Sequence, residues 1–307
     1  MFAQTSKLIR TASDTTKASR EIQGLLFGAI GVLAFSLSLP ATREAAPQLG
    51  AVVAGLGRAV VAGLIAIALL RRNHEVFPRH LLSRLAVVAG GVVVGFPLLT
   101  SIALRHLPSA HGAVVIGLLP ASTAIMAVIR AGERPPRAFW LASAVGVAAV
   151  VIFAIEQNAG RPRAADLILL GAVALAGLGY AEGGHLAKEI GGWQVICWAL
   201  VVSLPVVVPV VAVSVARHGL HANAQGWVAF AYVCLFSMLL GFFAWYRGLA
   251  LGGIARVGQL QLAQPLLTLV WSALLLGEHI GPGIVLPALL VIGSVALGRR
   301  ARTQAIT

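Results

Sequence analysis

Pro120 to Glu133 reads PASTAIMAVIRAGE, and Pro265 to Glu278 reads PLLTLVWSALLLGE. Each stretch is 14 residues long, opens on a proline inside an apolar run and closes on Gly-Glu. The two stand 145 residues apart, close to half of the 307-residue chain. Spacing of this kind points to one ancestral half duplicated. In a membrane protein, two related halves place a transport site between them.

Composition puts the chain in a membrane. It is 59% hydrophobic and only 11% charged, with a mean hydropathy of +0.91. A soluble domain carries about 25% charged residues, so this chain has too few charges to cover a surface facing water. The net charge of +13 does not indicate nucleic acid, because the cations fall in short clusters between apolar blocks and read as orientation signals. Cys197 and Cys234 both lie inside apolar blocks, and no metal-ligand spacing is present. No cofactor is expected.

Ten blocks approach or exceed the length of about 20 residues that crosses a bilayer: 23–42, 49–70, 84–104, 110–130, 138–156, 166–186, 193–215, 226–246, 254–276 and 281–298. The polar residues 1–22 read as a cytosolic tail, and not as a cleaved signal, because the first apolar block starts late and is long enough to span. With the N-terminus inside, the cytoplasmic segments hold seventeen Lys and Arg and the outer segments five, namely Arg43, Arg105, Arg161, Arg163 and Arg217. That asymmetry places both termini in the cytoplasm. The expected fold is all-α and integral to the membrane, with ten transmembrane helices as two five-helix repeats, 23–156 and 157–298, followed by a short cytosolic tail, 299–307. Five is odd, so the second repeat inserts upside down relative to the first. The Ala/Val/Arg-rich, Lys-poor composition fits a bacterial cytoplasmic membrane.

The ten spans, the duplication and the paired Pro-to-Gly-Glu stretches make the chain resemble the EamA-type transporters of the drug/metabolite transporter superfamily. Residues Tyr180 to Lys188 and Gly191 to Ile196 share the resemblance, which covers roughly 23–298. It implies a secondary transporter, not an enzyme, that exports an amino acid or similar small metabolite. A drug or sugar-type carrier of the same fold is the alternative.

Several residues carry chemistry that such a carrier needs. Arg58 lies deep in a span, where an arginine costs at least about 3 kcal/mol and must face the bundle interior or a cavity. There it is placed to pair with a substrate carboxylate, or structurally with a carbonyl or Glu182. Gln261, Gln264, Thr268 and Trp271 form one helical stripe, which fits either a cavity wall or interhelical bonding. Tyr180 and Trp198 are deep enough to face that cavity, whereas Trp245 and Tyr246 fit better as interface anchors.

Glu182 and His185 share a helix face. They are candidates for proton coupling, although an interfacial pair with Lys188 or Glu189 is the more favoured reading. Pro40, Pro97, Pro120 and Pro265, with Pro205 and Pro209, interrupt spans and free carbonyls. Glu133 and Glu278 end the repeated stretches and are expected to bind backbone N–H groups or nearby arginines. Gly24-Gly28 and Gly91-Gly95 have the GxxxG spacing of helix pairs, a weak sign of dimerisation. The partners implied are a small-molecule substrate, the lipid bilayer and protons. The chain has no P-loop, HExxH or GxSxG motif, and no span supplies the continuous polar lining of a channel.

Overall fold

A computed structural model describes residues 2–131, 137, 140–141, 144–149, 152, 164–253 and 257–304. Among these residues all regular structure is helical. Seven helical segments are long and apolar enough to cross a membrane. They are α1 (Ser19–Leu49), α2 (Val53–Arg72), α3 (Arg79–Ala103), α4 (Ser109–Met126), α5 (Ala164–Ile190), α6 (Gly192–His218) and α7 (Ala224–Gly252). Two shorter apolar helices follow, α8 (Leu260–Leu276) and α9 (Pro282–Gly293). These nine overlap nine of the ten expected blocks. The remaining block, 138–156, lies largely outside the described residues. The expected tail is helical from Phe2 and runs without a break into α1.

The chain packs by exchanging its halves. Helix α1 lies against α7, and α3 lies against α5; α2 faces α6; α4 packs on α5, and α8 on α1. Leucines and valines such as Leu64, Val206, Val228 and Leu274 are exposed, as a face in contact with lipid requires.

Glycine sets the closest of these contacts. A Cβ on Gly24 would come within 2.5 Å of the Gly252 Cα, and one on Gly248 within 2.7 Å of the Gly28 nitrogen. Only glycine lets the α1 and α7 backbones approach this far. The Gly91-Gly95 pair likewise faces Leu175 and Gly179 of α5. Both GxxxG pairs thus make close contacts within the chain.

Four prolines coincide with breaks in helical register. The α1 helix is interrupted at Leu37, three residues before Pro40. Pro40 has no N–H for the Ser36 carbonyl, and the Thr268 hydroxyl of α8 donates to that carbonyl at 2.7 Å. In α3 a π-helical stretch, Ala89–Gly95, precedes Pro97. In α4 a turn at Gly117–Leu118 precedes Pro120. A 3₁₀ stretch, Gly258–Ala263, leads into α8 and precedes Pro265. Pro205 and Pro209, expected to interrupt a span, instead lie inside the continuous helix α6. A second long π stretch, Val233–Leu240 in α7, sits about 145 residues beyond the one in α3.

Candidate substrate site

The breaks in α1, α3 and α8 and the π stretch of α7 border one narrow buried cleft of about 20 Å³, lined by residues from α1, α2, α3, α5, α7 and α8. Its two walls are related by the sequence repeat. Phe35 and Tyr180 are 145 residues apart and stack with ring centroids 6.2 Å apart. Val92 and Ser237 have the same separation, and each comes from one of the two long π stretches. A π segment turns side chains away from the ordinary helical face and recurs at functional sites. Here it brings Val92, Ser237 and Met238 to the cleft.

Arg58 is the charge in this cleft, and it is only 2% exposed. Its Nε donates to the Ala54 carbonyl at 2.7 Å. Its Nη2 donates to Thr42 Oγ1 at 3.0 Å and to Ser101 Oγ at 3.3 Å. All three partners are neutral. Among the described residues no carboxylate lies within ion-pair distance of Arg58. Glu182, one of the anticipated partners, is bound instead to Arg84 of α3 at 2.5 Å, and Arg84 also reaches Glu189 at 2.6 Å. A buried cation without an anion is costly. The arrangement therefore holds an unspent positive charge beside an aromatic wall of Phe35, Tyr180 and Phe242.

The polar stripe of α8 divides in two. Gln264 lines the cleft, is 5% exposed, and its Oε1 has no hydrogen-bond partner. Gln261, one turn earlier, is 2% exposed with both amide atoms unpartnered. Buried amides need partners, so this end of the stripe is equipped for a ligand or water. Thr268 and Trp271 serve the fold: Thr268 holds the Ser36 carbonyl, and Trp271 Nε1 donates to Ser36 Oγ at 3.0 Å. Neither lines the cleft.

Other expected residues lie elsewhere. Trp198 packs edge-on against Phe77, 5.2 Å between centroids, and does not line the cleft. His185 is exposed, whereas Glu182 is buried. Trp245 and Tyr246 are not interface anchors. They are 1% and 0% exposed and pack into the aromatic cluster behind the cleft, because the glycines of α1 draw α7 inward. Glu133 lies outside the described residues.

Glu278 binds backbone. Gly277 adopts the left-handed conformation (φ 63°) that ends α8 and turns Glu278 towards the start of α4. Its carboxylate accepts from the N–H groups of Ser109 at 2.9 Å and Ala110 at 2.8 Å. It thereby caps a helix whose first N–H groups lack partners of their own. The Gly-Glu pair is a turn plus a cap, and its effect is to tie α8 to α4.

Sequence reasoning missed two things. Thr42 and Ser101, which orient Arg58, carry no sequence signal beyond being hydroxyls in apolar spans. His111 and Asp166, bonded at 2.6 Å and buried to 5% and 4% exposure, were detectable as ionisable residues at the ends of two blocks.

Comparison with known proteins agrees with this architecture. The EamA-like transporter family matches residues 22–155 and 163–298. The uncharacterized transporter YdeK of Bacillus subtilis (strain 168) is 46% identical over 284 residues, 92% of this chain and 99% of that protein. A probable terminal-alkyne amino-acid exporter of Streptantibioticus cattleyicolor is 24% identical over 203 residues, 64% of this chain and 67% of that protein. A protein of known crystal structure, 17% identical, superposes with a TM-score of 0.60 over 92% of this chain and 99% of its own length, a likeness of fold alone. The chain, a multi-pass helical membrane protein, belongs to the EamA-like transporter family.

Proposed function

We propose that this transporter exports a small carboxylate-bearing metabolite, of the amino-acid kind, across the cytoplasmic membrane by alternating access. The observation that carries the reading is Arg58, buried in the central cleft with only neutral partners. A carboxylate arriving there supplies the missing anion through charge-assisted hydrogen bonds. The unpartnered Gln264 Oε1 in the same cleft accepts from a donor such as an ammonium group. Phe35, Tyr180 and Phe242 cover an apolar remainder. The relative named as a probable amino-acid exporter supports the same class.

Two inverted five-helix repeats supply the motion. The two matched stretches, the exchange-related helix pairing and the equivalent π stretches all support a pseudo-two-fold axis through the cleft. Each half closes one side of the membrane, both termini face the cytoplasm, and protons are the coupling ion. The proposed repeats are 23–156 and 157–298, between cytosolic tails 1–22 and 299–307.

The test is thermal stabilisation of the purified protein by a panel of amino acids and other small carboxylates. A binding solute is expected to raise the melting temperature of the parent and of Arg58→Lys, with weaker apparent affinity in the latter. In Arg58→Ala the shift is expected to disappear. Equal stabilisation of Arg58→Ala by the same solute would remove Arg58 from the site.

A further inference from the structure

Protons need a binding site, and the residues first considered are poorly suited to it. Glu182 is occupied by Arg84, and His185 is exposed. His111 and Asp166 fit better. His111 Nε2 lies 2.6 Å from Asp166 Oδ1, and both residues are buried. His111 stands in the first turn of α4, in the first half of the chain. Asp166 stands in the first turn of α5, in the second half. In the proposed orientation both ends face outward, so this bond, beside the Glu278 cap, joins the two halves at the outer mouth.

We propose that His111–Asp166 is the proton-binding site of this carrier, and that a proton taken up from the outer side latches α4 to α5 and closes the outer mouth. The proposal rests on the alternating-access reading. Imidazole changes charge between about pH 5 and 8. Neutral His111 offers Asp166 one hydrogen bond. Protonated His111 adds to that bond, already assisted by the carboxylate charge, the Coulomb attraction of a buried ion pair.

Of the other charged groups of the region, which include Glu44 of α1, two are fixed in place across elements. From α1, Arg43 donates to the Leu104 carbonyl at 2.6 Å. From the end of α8, Glu278 caps Ser109 and Ala110. Arg105 and His106 lie in the turn before α4, and the described residues of α9 carry no charge.

The repeat sharpens the argument. The position 145 residues beyond His111 is Arg256, a cation that does not lose its proton at physiological pH. The outer position alone is titratable, which gives the two sides of the carrier different responses to pH. Closure also reaches the cleft by a short path. Arg43 holds the backbone just before α4, and its neighbour Thr42 accepts from Arg58.

The test needs no substrate. Ser237 lines the cleft and is 7% exposed, so Ser237→Cys, with Cys197→Ala and Cys234→Ala, reacts only when the mouth opens. Intact cells expressing this protein are labelled from outside with a membrane-impermeant anionic thiosulfonate at about pH 8 and about pH 5.5, a pair chosen to bracket histidine titration. The added His111→Gln change gives the thiol's own pH dependence.

Relative to that reference, labelling is expected to slow by about fivefold or more on acidification, the lower end of ordinary coupling between sites. His111→Arg is expected to label slowly at both pH values, and Asp166→Asn to follow the reference. The same pH profile with and without His111 overturns the proposal, as does fast labelling of His111→Arg. Asp166→Asn serves as the reference should His111→Gln fail to insert. A pH-dependent latch alongside a failed Arg58 stabilisation test strikes the substrate assignment alone. The converse result strikes only the latch.

Discussion

Arg58 is where the free energy of folding and the needs of function part company. Its guanidinium is removed from water and from lipid headgroups and is repaid only by three neutral hydrogen bonds. Replacing a buried, poorly compensated charge by an apolar side chain of similar volume is often neutral or stabilising, by about 1–4 kcal/mol. Arg58→Met is therefore expected to keep or raise the melting temperature of the purified protein while abolishing transport, a trade seen where a site is held ready for its ligand. A marked fall in melting temperature would mean that the bonds to Ala54, Thr42 and Ser101 outweigh desolvation, and that Arg58 is structural. Gln264 follows the same logic on a smaller scale. Thr268 and Trp271 do not, because Ser36 already occupies their polar atoms.

Among the elements, prolines and glycines decide where helices bend and how closely they meet. Pro40 frees the Ser36 carbonyl, and Thr268 fills the gap. Pro97 follows the π stretch that aims Val92 at the cleft. Gly24 admits α7 so closely that a β-branched residue has no room. Gly24→Val is expected to sharply reduce the yield of folded protein and to lower its melting temperature by several degrees, since overpacking costs about 1–3 kcal/mol. An unchanged melting temperature would mean that the α1–α7 contact adds little. The Gly277-Glu278 pair shows how a repeat signature can be structural and still matter: the glycine ends α8, and the glutamate caps α4.

Across the whole molecule, the apolar blocks, the class of fold and the family were legible in the sequence, because hydropathy and a 145-residue repeat survive without knowledge of packing. Arg58, Tyr180 and Gln264 were legible as cleft residues because a charge, a phenol and an amide are conspicuous in apolar helices. Trp245 and Tyr246 were misread as anchors, since their burial depends on how far the α1 glycines admit α7, which no local pattern reports. Trp198 was set beside the cleft by depth alone, and depth does not say which neighbour a ring will meet. The His111–Asp166 bond joins residues 55 positions apart across the two halves and appears only when those halves are packed.

The central claim is that the two halves carry a carboxylate solute past Arg58 from one side of the membrane to the other. Counterflow in proteoliposomes tests it most directly, with vesicles loaded with unlabelled amino acids and small carboxylates and probed with their labelled forms. Saturable exchange of a carboxylate-bearing group is expected in the parent, with reduced exchange in Arg58→Lys and none in correctly inserted Arg58→Ala. Exchange that survives unchanged in Arg58→Ala, or that is confined to solutes without a carboxylate, would contradict the account.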